Sequence, residues 1–238
     1  MELTSTVTNW LWVGFFGMLV GTAMIYLLGS TLKAAEKYHV YTAMAITSIA
    51  AIAYYAMANN QGIFMIGGKP LFLARYLDWL VTTPLLLISL FFLAYPADKD
   101  AVGIRQKLGV IASAVFADIV MIVTGAFANL SGGHDNKVFW YVVSCVAFLV
   151  VLGVMYGAVR KSAMSLGRGP AKLYNNLLTY LMVLFFIYPI VWVIGTSGVG
   201  SITLGAEVAI YAVLDLCAKA VFGILIVLSL KGEKAIDK

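Results

Sequence analysis

Tyr211-Ala-Val-Leu-Asp-Leu-Cys-Ala-Lys-Ala-Val-Phe-Gly223 sets a carboxylate, Asp215, and an amine, Lys219, four residues apart inside an otherwise apolar run. A bare ammonium group in hydrocarbon is costly unless it is paired or chemically used. Four residues apart on a helix, the two side chains share one face, so each can offset the charge of the other. The rest of the chain decides whether this run lies in a membrane and what the amine is for.

Composition answers the first question. Of the 238 residues 62% are apolar and 11% are charged, and the mean hydropathy is +0.95. Such a chain faces lipid. Seven apolar runs are long enough to cross a hydrocarbon core of roughly 30 Å. They lie near Trp10 to Leu32, His39 to Ala58, Leu71 to Tyr95, Leu108 to Leu130, Val138 to Val159, Leu173 to Ile194 and Ile202 to Leu230. The fold expected is therefore an all-α membrane protein of seven transmembrane helices, with residues 1–238 forming a single domain. The first run lacks a basic leading segment and a small-residue cleavage site, and it reads as a retained span. The breaks between spans are short and rich in turn residues, as in Gln61-Gly-Ile-Phe-Met-Ile-Gly-Gly-Lys-Pro70.

The net charge of +5 does not point to nucleic acid, because the basic residues fall in short connecting segments. One side of the bilayer collects Lys33, Lys37, Lys99, Arg105, Lys107, Arg160, Lys161, Arg168, Lys172, Lys231, Lys234 and Lys238, and the other only Lys69 and Lys137. By the positive-inside rule the N-terminus lies outside and the C-terminus in the cytoplasm. The partner implied is the lipid bilayer, and the expected location is the cell membrane, crossed many times. Cys145 and Cys217 both fall in apolar runs and indicate no disulfide scaffold. His39 and His134 read as loop histidines, too isolated to make a metal site, and no metal is expected.

The intramembrane charges carry the functional signal. Asp78, Asp118, Asp215 and Lys219 stand well inside spans, with Arg75 and Glu207 nearer the outer ends. Along the third span Arg75, Asp78 and Thr82 form a polar ladder at three- and four-residue spacing, and Ser89 follows about 10 Å further in. These groups are expected to face the bundle interior and to pair there. A purely structural ion pair is the plainer alternative, but buried charge seldom stabilises by itself.

Arg75-Tyr-Leu-Asp-Trp-Leu-Val-Thr-Thr-Pro-Leu-Leu-Leu87 resembles the third helix of microbial rhodopsins, and Leu214-Asp-Leu-Cys-Ala-Lys219 their retinal-attachment stretch. Tyr188-Pro-Ile-Val-Trp-Val-Ile-Gly195 is similar to the sixth helix, and Asp118-Ile-Val-Met-Ile-Val-Thr-Gly125 to the fourth. The resemblance covers nearly the whole chain, in the right order.

What it implies is specific. Lys219 would carry all-trans retinal as a Schiff base, with Asp78 as counterion and proton acceptor and Asp215 as second counterion. Arg75 would supply compensating positive charge, Thr82 would hydrogen-bond Asp78, and Tyr54 and Tyr188 would bond the second counterion. Tyr76, Trp79, Thr83, Leu86, Met121, Gly125, Ser144, Phe148, Phe185, Tyr188 and Trp192 match pocket positions, although core packing explains any one of them singly. Phe185 departs from the usual Trp, and Leu86 suggests green absorption by analogy. Asp118 would be structural, bridging to a neighbouring helix. Glu207 matches one member of an outer carboxylate pair whose other member is here Ser197.

Asp78, Thr82 and Ser89 occupy the three signature positions of the third helix. An aspartate at the first is the acceptor of outward proton pumps, and it disfavours chloride and sodium pumping. Ser89 stands where many pumps place a carboxylic acid that reprotonates the Schiff base. Ala218 is pump-like, and Asp215 argues against the cyanobacterial-sensor group. The function implied is a light-driven outward proton pump with no carboxylic donor at Ser89. The alternative is a photosensory rhodopsin that signals to a transducer with weak or no net transport. A trimer or pentamer is common in the family. No enzymatic activity is expected. A seven-span transporter or receptor with a substrate-binding ion pair would instead be colourless.

Overall fold

A backbone in hydrocarbon must satisfy its own N–H and C=O groups, and a run of some twenty apolar residues does so by coiling into an α-helix. The computed structural model describes residues 3–95 and 101–236; for residues 101–106 and 233–236 it describes the backbone only. Lys99 and Lys238, counted above on the cytoplasmic side, lie outside the described residues, as do the side chains of Arg105 and Lys234.

Among the described residues, seven helices are long and apolar enough to cross a membrane. They are α1 (Ser5–Gly29), α2 (Lys37–Ala58), α3 (Leu73–Ala94), α4 (Ala101–Leu130), α5 (His134–Ser165), α6 (Arg168–Ile194) and α7 (Leu204–Gly232). The chain is a multi-pass membrane protein. Several helices run past the apolar spans, because hydropathy marks the crossing while the backbone continues into polar flanks: α1 begins at Ser5 and α5 extends to Ser165. Among the described residues two helices change pitch. Residues Met155–Val159 of α5 and Leu216–Val221 of α7 each form a π-helical turn, a local widening that often occurs at functional sites.

The segment between α2 and α3 is more ordered than turn chemistry suggests. Strands β1 (Ile63–Ile66) and β2 (Lys69–Phe72) pair antiparallel, with Ile66 opposite Lys69. Gly67 and Gly68 take φ of 57° and 78°, the left-handed values that a two-residue hairpin turn needs. Leu71 therefore belongs to a strand rather than to the start of the third span.

The chain divides into two compact units, one of residues 1–82 with 183–238 and one of residues 83–182. In the first, α1 packs on α2 and α7 around Leu11, Met18, Ala50, Tyr54, Val208 and Ala212. Lipid tails are as apolar as leucine, so close packing rather than hydrophobic exclusion joins such helices. Glycine makes that approach feasible. A Cβ on Gly14 would overlap the Tyr54 ring, and one on Gly21 would overlap the Cβ of Ala220. In the second unit α4 packs along α5, and Leu86, Leu90, Ala114, Val151, Met155 and Leu181 are buried. Large apolar side chains such as Leu27, Ile52 and Phe116 remain 67 to 70% exposed, as expected of faces that meet lipid.

Candidate functional site

The π-turn in α7 carries the site. Asp215 closes the α-helical part and Lys219 lies in the wider turn that follows. Both are buried, with 0% and 2% of their surfaces exposed. Lys219 Nζ ion-pairs with Oδ2 of Asp78, and Oδ1 of Asp215 lies 3.6 Å away. One ammonium therefore stands between two carboxylates from different helices.

Buried carboxylates need donors as well as counter-charge. Asp215 has three: Tyr54 Oη donates to Oδ2 at 2.8 Å, Tyr188 Oη to Oδ1 at 2.8 Å, and Trp79 Nε1 to Oδ1 at 3.1 Å. Asp78 is served by Thr82, whose Oγ1 lies 3.2 Å from Oδ1 and also donates to the Asp78 carbonyl at 2.8 Å. The helical spacing of the ladder produces this last contact directly, since residues four apart are neighbours. Trp79 was expected only as an apolar wall. Its indole donor was the missed signal: a Trp in the interior needs a partner for its N–H.

Arg75 departs from the expected pairing with carboxylates. It is buried and forms no ion pair among the described residues. Its guanidinium lies 4.9 Å from the Phe72 ring centre and 4.6 Å from that of Tyr211. Arginine is weakly hydrated and planar, so aromatic faces hold it well in the absence of a carboxylate. Its Nε and Nη2 have no hydrogen-bond partner among the described residues.

Aromatic rings crowd the same unit. Trp79 meets Tyr76, Tyr188 and Tyr211 edge-on with centroids 5.2 to 5.5 Å apart, and Phe185 lies 6.2 Å from Tyr188. Trp192 is half-buried.

Near the α7 N-terminus, Glu207 is buried rather than solvated. Its Oε2 accepts from both N and Oγ1 of Thr196, each at 2.7 Å. Lys69 of β2 donates to the Thr196 carbonyl at 2.8 Å, tying the hairpin to the residue that holds Glu207. Neither Thr196 nor Lys69 was expected here. The contact joins residues 127 apart in the chain, and no local pattern announces it.

The second unit holds the other expected residues. Thr83 Oγ1 of α3 donates to Asp118 Oδ2 of α4 at 2.7 Å, a bridge between neighbouring helices inside a buried environment. Ser144 donates to the Met121 carbonyl at 2.8 Å. Leu86 and Phe148 are buried, while Met121 and Gly125 are half-buried. Ser89 is buried and spends its hydroxyl on the Leu85 carbonyl at 2.9 Å. His134 opens α5 and is exposed. His39 is not a loop histidine: it is the third residue of α2 and only 3% exposed, because the helix begins at Lys37 and turns it inward.

The family model for bacteriorhodopsin-like proteins matches residues 5–232. The chain belongs to the bacteriorhodopsin-like family. This microbial rhodopsin is similar to the bacteriorhodopsin of Haloterrigena sp. (strain arg-4), 37% identical over 229 residues that cover 92% of this chain and 86% of that protein. Among solved structures it resembles a thermophilic rhodopsin from Rubrobacter xylanophilus, with a TM-score of 0.88 and 37% identity across 94% of this rhodopsin and 96% of that one. It also resembles the light-driven proton pump rhodopsin of Coccomyxa subellipsoidea, with a TM-score of 0.85 and 35% identity across 95% and 98% of the two chains.

Proposed function

We infer that this rhodopsin is a light-driven outward proton pump that binds all-trans retinal through Lys219. The observation that carries the reading is the pairing of Lys219 Nζ with Asp78 Oδ2 while Asp215, already held by Tyr54, Tyr188 and Trp79, stands 3.6 Å away. The residues fit retinal by the chemistry of this set. A primary amine is available for carbonyl condensation, and the positive charge that would remain on Nζ has its counter-charges in place.

Retinal, when bound, would supply absorption of visible light and a change of shape at Nζ. The rest falls to the chain. Asp78 accepts the proton of Nζ on a carboxylate already hydrogen-bonded to it. Asp215 keeps its three donors and remains the standing counter-charge. Thr82 steadies Asp78 in both protonation states, because a hydroxyl can donate or accept. With the N-terminus outside, as the Lys and Arg distribution implies, Arg75 and Glu207 lie outward of Asp78; the Glu207 carboxylate receives the proton, and Arg75, a fixed cation with no acceptor atom, lines its route. Moving it against 100 mV costs about 2.3 kcal/mol. Direct proton transfer requires hydrogen-bond contact, and the Lys219–Asp78 pair has it.

A photosensor with weak net transport is the second reading, and Ser89 favours it. The serine hydroxyl bonded to Leu85 is no acid near neutral pH, so nothing at that position refills Nζ quickly. Adding all-trans retinal to the expressed apoprotein tests the binding step that both readings share. A visible band should form and should be lost in Lys219→Ala; no band, or an unchanged one in that variant, would overturn both.

A further inference from the structure

We propose that His39 relays the cytoplasmic proton that refills Lys219 Nζ, the task left open by Ser89. The inference rests on reading the chain as an outward pump with its N-terminus outside.

His39 is 3% exposed, and its Nδ1 has no hydrogen-bond partner among the described residues. It stands at the inward end of α2, on the same face as Ala43, Thr47 and Tyr54, at intervals of four, four and seven residues. Tyr54 reaches the Lys219 site by donating to Asp215. Thr47 lies about 10 Å inward of Tyr54 along the helix and His39 about 12 Å beyond Thr47. At Thr47 this face carries a part-buried hydroxyl pair: Thr22 Oγ1 of α1 and Thr47 Oγ1 approach to 2.6 Å. A Cβ built on Gly21 would touch Thr47 Cγ2 on one side and Ala220, the neighbour of Lys219, on the other. Further in, a Cβ on Gly223 of α7 would lie 3.0 Å from that of Ala43. His39, Ala43 and Thr47 thus line one face of α2, and this face forms a seam with Gly21 of α1 and Gly223 of α7 on either side of Ala220, the chain neighbour of Lys219.

Chemistry singles out the histidine. Imidazole offers one donor and one acceptor nitrogen, so it can take a proton at one and give one from the other. Hydroxyls can pass a proton but cannot store one. Asp118 is already engaged by Thr83. The groups flanking His39 are Glu36 and the Tyr38 ring, 4.1 Å away between centroids. Leu28 of α1, Leu32 just after it, and Ile224, Val227 and Leu230 of α7 meet this part of α2. The proton enters from cytoplasmic water, crosses the imidazole and the hydroxyl pair as light-driven motion loosens the seam, and ends on Nζ.

The test uses the retinal-loaded full chain in lipid vesicles, with flash-followed proton return to Nζ in wild type, His39→Gln and His39→Ala at pH 6 to 8. Return at pH 8 should slow by about tenfold or more in both variants, and added imidazole should restore it in His39→Ala alone. In retinal-free wild-type protein, ¹⁵N NMR should show His39 ring nitrogens exchanging with water. Unchanged return rates, slowing without imidazole rescue, or no water exchange would each overturn the relay. If instead wild type moves no protons outward and behaves like Asp78→Asn, the pump reading itself has failed.

Discussion

Tyr54 of α2 donates its hydroxyl to Oδ2 of Asp215 on α7 at 2.8 Å, across 161 residues of sequence. Tyr188 and Trp79 occupy Oδ1 of the same carboxylate, so Oδ2 depends on Tyr54 among the described residues. Tyr54→Phe keeps the ring that packs beneath Gly14 and deletes only the donor. It should cost about 1–3 kcal/mol, the usual penalty for stripping a buried charged acceptor of its bond. Thermal unfolding of the retinal-free protein checks this. An unchanged midpoint would mean that another group serves Oδ2.

Thr83→Val removes the hydroxyl that Asp118 accepts and leaves the methyl volume in place. The second unit should lose about 1–3 kcal/mol, read as a lower thermal midpoint of the retinal-free protein. An unchanged midpoint would show that another donor serves Asp118 Oδ2.

Thr196→Val takes one of the two donors from Glu207 and keeps the backbone N–H. A loss of about 1 kcal/mol in holding the carboxylate corresponds to roughly fivefold. A surface pH dye should report a shift of that order in outward proton release. Lys69→Met should act in the same direction and more weakly, because it touches Glu207 only through the Thr196 carbonyl.

Ser89→Asp places an ionisable group where the hydroxyl now bonds Leu85. General acids commonly contribute on the order of 10²-fold or more, so proton return to Nζ at pH 8 should accelerate by about that factor. No acceleration would show that supply to Nζ does not pass this face of α3.

The seven crossings were legible because each is an apolar run of helical length, and the Asp215–Lys219 pair because spacing on a helix decides which residues share a face. Thr82 on Asp78 follows from the same rule. Tyr54 and Tyr188 came from resemblance rather than from spacing. Other features depend on atoms rather than faces. Periodicity puts Trp79 in the interior but does not say that its N–H finds Asp215, and no count of charges foretells that Arg75 rests between two aromatic rings. The hairpin did leave a trace, Ile63-Phe-Met-Ile66 followed by Gly67-Gly68, but the loop is short enough to pass for a plain turn. The π-turn around Lys219 left none: the residue spacing of Leu216–Val221 reads as ordinary helix.

The most direct test of the central claim is the light-induced pH change of a cell suspension expressing the protein, with and without a protonophore, in wild type and Asp78→Asn. Wild type should acidify the medium under illumination, the protonophore should abolish the signal, and Asp78→Asn should keep its visible pigment while losing transport. Sustained acidification by Asp78→Asn, or none by a pigmented wild type, would contradict an outward pump in which Asp78 takes the proton of Lys219.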